Sequence, residues 1–218
     1  MTRSTLFDFN GVLVDDEAVH LEAFRETVAP LGIVLEDGMY EARYLGFDDV
    51  GAFRAMLTDA KLPATDADVK KLVEAKKPIY MRRIEKGLVV FEGAADIVRR
   101  RAKLGPIAIV SGALRHEIEH VLGIMGVRDA FACIVAAEDV AHGKPDPEGY
   151  ERGVAALGVD KRTVVVIEDS LAGIQSAKAA GVRCAGVAHT YTAAELAKAG
   201  ADAVAERIAL LTDAMLDG

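Results

Sequence analysis

Six polar residues stand where apolar runs give way to loops. They are Asp8 and Asn10 in LFDFNGVLVDDE, Ser111 in PIAIVSG, Lys144 in HGKPDPEGY, and Glu168 with Asp169 in TVVVIEDS. An acid ending a strand is commonly only a helix cap or a turn residue, so none of the six says much alone. Together their types are complementary. Asp8, Glu168 and Asp169 offer the hard oxygen ligands that Mg²⁺ prefers. Ser111 and Lys144, with nearby backbone N–H groups, suit the oxygens of a phosphate. A carboxylate beside Mg²⁺ and a lysine can attack phosphorus and form an aspartyl phosphate. The cations offset the repulsion between that carboxylate and the incoming anion.

Such a set needs a scaffold that brings distant segments to one edge. Short β-branched runs at TLFDF, 106–112, 131–139, 163–170 and 183–189 alternate with helical patterns, and 201–206 reads as a short edge strand. The helix at GAADIVRRRAKLG is expected to bury Ala95, Val98 and Ala102. The next, at ALRHEIEHVLGIMG, is expected to bury Ile118, Val121, Leu122 and Met125. Pro147 opens and Gly158 closes a third. Ser170 is the N-cap of a fourth, with Gly181 as its stop. Continuous apolar strands alternating with helices imply an α/β fold, a Rossmann-like doubly wound parallel sheet. In such sheets ligands gather at the carboxyl ends of the strands, where these polar residues stand. Residues 16–88 break the rhythm and read as helix throughout. The expected division is a core of 1–15 and 89–218 with an inserted helical cap at 16–88.

Composition bounds the partners. The 218 residues carry a net charge of −8, which disfavours a nucleic-acid surface. No apolar run approaches the roughly 20 residues needed to span a bilayer. The N-terminus lacks a basic segment followed by an apolar one and a cleavage site, so a cytoplasmic location is expected. Cys133 and Cys184 lie in apolar stretches and read as buried thiols. A monomer or weak homodimer acting on a small phosphorylated metabolite is the expected form.

The chain resembles the haloacid dehalogenase superfamily, in its helical-cap, β-phosphoglucomutase-like branch. DFNGV is similar to the first motif, IVSGA to the second, GKPDPEGY to the third, and VVVIEDSLAGIQSAKAAG to the fourth. The resemblance implies that Asp8 is the nucleophile and a Mg²⁺ ligand, and that Asn10 gives Mg²⁺ its backbone carbonyl. It implies that Asp169 binds Mg²⁺, with Glu168 ligating directly or through water. Ser111 and Lys144 would hold the transferring phosphoryl group, helped by the backbone of Gly112 and Ala113. His20, in the H-x-x-A-F stretch of the cap, would lie near the substrate or link cap to core. Its unperturbed pKa near neutrality suits a proton shuttle. Asp15 and Asp16 would form the hinge of a cap whose closure excludes water.

Asn10 departs from the family pattern. Phosphatases of this kind usually carry a second aspartate there, which protonates the leaving oxygen and then activates water. An amide of the same shape does neither at neutral pH. General acid–base help is typically worth about 10²–10⁴-fold, so turnover should be slowed by that much for a poor leaving group. A natural enzyme with another proton donor, an engineered trap, and a protein kept only for phosphate binding all fit. A phosphonatase- or dehalogenase-type hydrolase is the other alternative: dehalogenases use no Mg²⁺ and lack the full acidic pair present here, and a phosphonatase would need a cap lysine such as Lys76 or Lys77, but KKLVEAKKP reads as a solvated helix face. The stretch 44–53 places Phe47, Asp48 and Asp49 where mutases of the branch carry a phosphate-gripping arginine, which argues against mutase activity. Arg43 and Arg54 flank it as surface residues. His116 and His120 read as a solvated face, His142 as a shaper of the lysine loop, and His189 as a neighbour of the site.

Overall fold

Among the described residues eight runs become strands. They are β1 (Ser4–Phe7), β2 (Val14–Asp15), β3 (Val89–Val90), β4 (Ile107–Val110), β5 (Phe131–Val135), β6 (Val164–Glu168), β7 (Arg183–Val187) and β8 (Ala203–Ala205). The computed structural model describes residues 4–45 and 47–218. Residues 1–3 of the expected core and Gly46 of the 44–53 stretch lie outside the described residues. By its contacts the chain divides into two units, 1–15 with 90–218, and 16–89.

In the first unit six strands form one parallel sheet in the order β5-β4-β1-β6-β7-β8. Every residue of β1, β4 and β6 is buried. That is why these strands read as continuous apolar runs rather than alternating ones. The helices of this unit are α5 (Ala94–Ala102), α6 (Arg115–Ile124), α7 (Glu148–Leu157), α8 (Leu171–Ala179), α9 (Ala193–Ala199) and α10 (Asp213–Asp217), after four in the other unit. Helix α7 packs on β1, β4 and β5, while α8 and α9 pack on β7. From β1 the chain builds outward to β4 and β5, then returns to β6 on the other side. The order reverses at β1, the place where such sheets open a ligand crevice.

The helix signals act as their chemistry requires. Ser170 Oγ accepts the Gly173 N–H at 3.0 Å and caps α8. Gly158 ends α7 at φ 64°, a left-handed turn that a side chain resists. Helix α6 buries Ile118, Val121 and Leu122 as expected.

Helix α5 differs from its expected phase. It buries Ala94, Ile97, Val98 and Arg101, not the stripe through Ala95 and Ala102. Arg101 is fully enclosed: its Nε donates to Thr5 Oγ1 at 2.9 Å, and its Nη atoms donate to Asp213 Oδ1 at 3.1 Å and Asp217 Oδ1 at 3.0 Å. One guanidinium thus ties β1 to the C-terminal helix. Arg101→Ala is expected to cost about 2–4 kcal/mol, chiefly from the cavity and the stranded Thr5 hydroxyl, because both acids keep contact with water. Urea unfolding of the variant measures it, and a midpoint matching wild type would refute the tie.

The described residues of the second unit are built chiefly from α1 (Glu17–Val28), α2 (Met39–Arg43), α3 (Asp49–Asp59) and α4 (Asp66–Ile84). Asp48 caps α3 through the Gly51 N–H at 2.7 Å, and Thr65 caps α4 through the Asp68 N–H at 3.3 Å. Phe24 of α1, Phe53 and Met56 of α3, and Tyr80 of α4 fill its interior. Helix α4 buries Val69, Val73, Lys76, Tyr80 and Ile84, a stripe at spacings of three and four. Among the described residues no helix is long and apolar enough to cross a membrane.

Candidate active site

Register alone brings the first residues together. Phe7 of β1 lies opposite Ile109 of β4 and Ile167 of β6. One step further along each strand, Asp8 therefore stands beside Glu168, with Ser111 just past the end of β4. The Asp8 N–H donates to Ile167 O at 3.0 Å and fixes the carboxylate at the strand tip. The chain then turns sharply. Gly11, at φ 73°, donates its N–H to Val14 O at 2.8 Å, and Leu13 donates to Phe9 O at 2.8 Å. A Cβ on Gly11 would lie 2.0 Å from Asp169 Oδ2, so the turn presses bare backbone against that acid.

Lys144 joins the strand ends. Its Nζ lies 2.7 Å from Asp8 Oδ1 and donates to Glu168 Oε1 at 2.6 Å. Asp8, Glu168 and Asp169 are all buried, and each offers an oxygen within 4.8 Å of the others'. Glu168 is held most firmly. Its Oε1 also accepts the Tyr150 hydroxyl at 2.8 Å, and its Oε2 accepts the Asp169 and Ser170 N–H groups and the Ser170 hydroxyl at 3.0 Å each. A Cβ on Gly173 would strike Glu168 Oε1 at 1.7 Å, so only glycine fits in that turn of α8.

Burial raises the Asp8 carboxyl to about 6, since Glu168 adds repulsion and the pull of Lys144 only partly offsets it. Burial and repulsion from Glu168 and Asp8 hold Asp169 well above the usual carboxylate range. Burial works against ionised Glu168 too. Lys144, the Ser170 N–H and the Tyr150 hydroxyl outweigh it, and Glu168 lies below its ordinary value. Lys144 is raised: burial opposes its charge, but the pull of Asp8 and Glu168 is stronger. One lysine therefore faces three buried acids. That excess of hard oxygen charge fits a divalent cation.

Ser111 is buried at the end of β4, and its N–H donates to Val135 O at 3.0 Å. Its Oγ accepts the Ala113 N–H at 3.1 Å, which leaves the hydroxyl proton to point elsewhere. The Ala113 N–H expected to reach a phosphate is thus already spent on Ser111. Gly112, between them, is exposed.

The other expectations resolve as follows. Lys76 is not on a solvated face. It is fully buried, ion-paired with Asp49, 2.8 Å from His20 Nδ1 and 4.3 Å from the centre of the Phe24 ring. Its place on the apolar stripe of α4 is the sequence signal for that burial, and its charge alone points the other way. Lys77 pairs with Glu74 at 2.6 Å. His20 lies inside the same unit, its Nε2 3.2 Å from buried Asp16 and its ring tilted against Tyr80 with centroids 4.6 Å apart. Burial and Lys76 press its pKa down, but Asp16 and Asp49 outweigh them and raise it. Arg43 pairs with Asp59 at 2.9 Å and Arg54 with Asp66 at 2.7 Å. Cys184 is buried and Cys133 half-buried, both free thiols. Tyr150 is a neighbour of the site with no expected role: its buried hydroxyl donates to Glu168. An aromatic with a polar tip six residues after Lys144 was its signal.

If the three acids hold a cation, its benefit must depend on pH. The folded protein keeps protons on Asp8 up to about pH 6 that an unfolded chain releases near 3.8. Without a cation, stability contributed by this group therefore falls as pH rises through that window. A cation must displace those protons at acid pH but not at neutral pH. The melting-temperature gain on adding Mg²⁺ is expected to be several degrees larger at about pH 7.5 than at about pH 5. Equal gains at both pH values, read by differential scanning fluorimetry, would exclude these carboxylates as the ligands.

An open parallel sheet that gathers a buried carboxylate, a lysine and an acidic pair at the carboxyl ends of its strands defines a Rossmann-like α/β protein with a site suited to a cation and an anion. The chain belongs to the haloacid dehalogenase-like hydrolases, whose family profile matches residues 3–181. It is similar to validoxylamine A 7'-phosphate phosphatase of Streptomyces hygroscopicus subsp. limoneus, 29% identical over 91% of this chain and 92% of that one. It is also similar to a phosphorylated carbohydrates phosphatase of Thermotoga maritima, 29% identical over 93% of each. Among solved structures, CbbY of Rhodobacter sphaeroides in complex with phosphate superposes with a TM-score of 0.88 at 28% identity, covering 100% of both chains. An aspartate-to-asparagine variant of that protein, bound to xylulose-1,5-bisphosphate, matches equally well.

Proposed function

We propose that this chain is a Mg²⁺-dependent phosphatase that hydrolyses a small phosphorylated carbohydrate through an aspartyl phosphate on Asp8. The observation that carries this reading is Lys144, whose ammonium bridges Asp8 Oδ1 and Glu168 Oε1 beside a third buried acid. Asp8, the Asn10 carbonyl and Asp169 would hold the cation, with Glu168 beside them. The cation would neutralise charge on the transferring phosphoryl group. Asp8 attacks phosphorus and the ester oxygen leaves. Water then cleaves the acyl phosphate, releasing phosphate and the free carboxylate. Lys144 keeps its charge throughout and would bind a phosphoryl oxygen, while the Ser111 hydroxyl would donate to another. By name the relatives just described act on validoxylamine A 7'-phosphate and on phosphorylated carbohydrates, or bind xylulose-1,5-bisphosphate, which supports that substrate class.

Asn10 favours a second reading, a catalytically weak phosphate-binding protein with the same site. A Schiff-base mechanism through Lys76 gains no support, because Asp49 and His20 already hold its ammonium. Phosphate release from p-nitrophenyl phosphate, with Mg²⁺ and with excess chelator, separates the readings. Metal-dependent release supports the phosphatase. Phosphate binding without release supports the second reading, and halide release from a haloacid without metal would overturn both.

A further inference from the structure

Two consecutive residues beyond β7 hold the site from outside the four motifs. The ring of His189 is locked on three sides. Its Nε2 accepts the Ile208 N–H at 3.1 Å, so the proton of the neutral ring sits on Nδ1, which donates to Gly11 O at 2.7 Å. Its face stacks on Phe91 with centroids 3.9 Å apart and an interplanar angle of 25°. Burial lowers its pKa, which keeps the ring neutral and this tautomer in place. The next residue, Thr190, donates its hydroxyl to Asp169 Oδ2. That is the oxygen lying against Gly11, where any Cβ would collide with it. One peptide unit thus grips both the turn that carries Asn10 and the carboxylate of Asp169.

We infer that His189 and Thr190 are positioning residues that set the Asn10–Gly11 turn against Asp169 and so tune the affinity of the cation site. This rests on the proposed metal-dependent reading. Thr190 holds Oδ2 of Asp169 and so fixes the orientation of the carboxylate that would face a cation. His189 fixes the Gly11 carbonyl and with it the direction of the preceding Asn10 peptide. Residues that orient ligating carboxylates from behind typically contribute 10–100-fold to metal affinity.

The test is Mg²⁺ binding to the full chain by isothermal titration calorimetry without substrate. Thr190→Val is expected to weaken Mg²⁺ about 10–100-fold. Thr190→Ser, which restores the hydroxyl, should return to within about threefold of wild type. His189→Ala should weaken Mg²⁺ as well, with partial rescue by His189→Asn, whose amide N–H can reach where Nδ1–H did. With saturating Mg²⁺, the KM for p-nitrophenyl phosphate should stay near that of wild type. A merely structural role would instead lower the metal-free melting temperature and move every parameter together. Thr190→Ala serves as a second hydroxyl deletion if the valine variant does not fold. Wild-type affinity in the folded deletion variants overturns the clasp while leaving the metal reading intact. Wild-type protein that takes up no Mg²⁺ overturns both.

Discussion

With Asn10 replaced by aspartate, kcat on an alkyl phosphomonoester is expected to rise by roughly 10²–10⁴-fold. Asn10 follows the strand tip that holds Asp8, and β1 and the turn at Gly11 fix its place. An amide there can orient an oxygen by hydrogen bonding but moves no proton near neutrality. A carboxyl group would do both: protonate the departing alkoxide, then take a proton from the attacking water. The gain should therefore depend on the leaving group. A sugar phosphate, with a strongly basic leaving oxygen, should gain most. p-Nitrophenyl phosphate should gain less, since its phenolate leaves unaided and only the hydrolytic half-reaction improves. Steady-state kinetics on both substrates, for wild type and Asn10→Asp, give the comparison. A gain below about threefold on both would show that another group already supplies the proton, or that Asn10 stands outside the chemistry.

Asp8→Asn is expected to lower turnover by about 10⁴-fold or more, while inorganic phosphate still binds. The substitution removes the attacking oxygen's charge but keeps its shape. It also removes one of three acids that crowd each other, so the folded protein should not suffer: the raised Asp8 pKa means that ionising this carboxyl costs more in the folded chain than in the unfolded one. The cost falls on the reaction and on Mg²⁺ affinity. Single-turnover assays measure the first, and calorimetric titration of phosphate into the variant measures the second half of the expectation. Residual activity within tenfold of wild type would exclude Asp8 as the nucleophile and favour direct attack by water.

The two variants discriminate together. A phosphatase impaired at one position recovers on Asn10→Asp and dies on Asp8→Asn. A protein specialised for binding shows little turnover in any form, yet loses or keeps phosphate affinity according to the charge at the strand tip. His20 and Lys76 offer a contrast. They form a buried polar network with Asp16, Asp49 and Tyr80 inside the helical unit. Removing one charged partner from such a network is costly in stability, so their substitution confounds folding with function more than changes at Asn10 do.

The sheet and the convergence of Asp8, Lys144, Glu168 and Asp169 were legible in the linear order of residues. Continuous apolar runs mark strands, and a parallel sheet must bring the carboxyl ends of those strands to one edge. Polar residues at these tips then meet whatever the details of packing. The identity of residue 10 was equally legible, because the difference between amide and carboxylate is chemical and independent of the fold. What only the tertiary structure decided are pairings between residues far apart in sequence. Arg101 is buried because Thr5, Asp213 and Asp217 converge on it, and Lys76 because Asp49 and His20 do. A charged side chain reads as exposed until partners able to offset its desolvation are known, and those partners lie 27 to 116 residues away. The tautomer of His189 and the grip of Thr190 on Asp169 have the same origin. Each follows from where a distant N–H or carboxylate comes to rest, which local propensity does not encode.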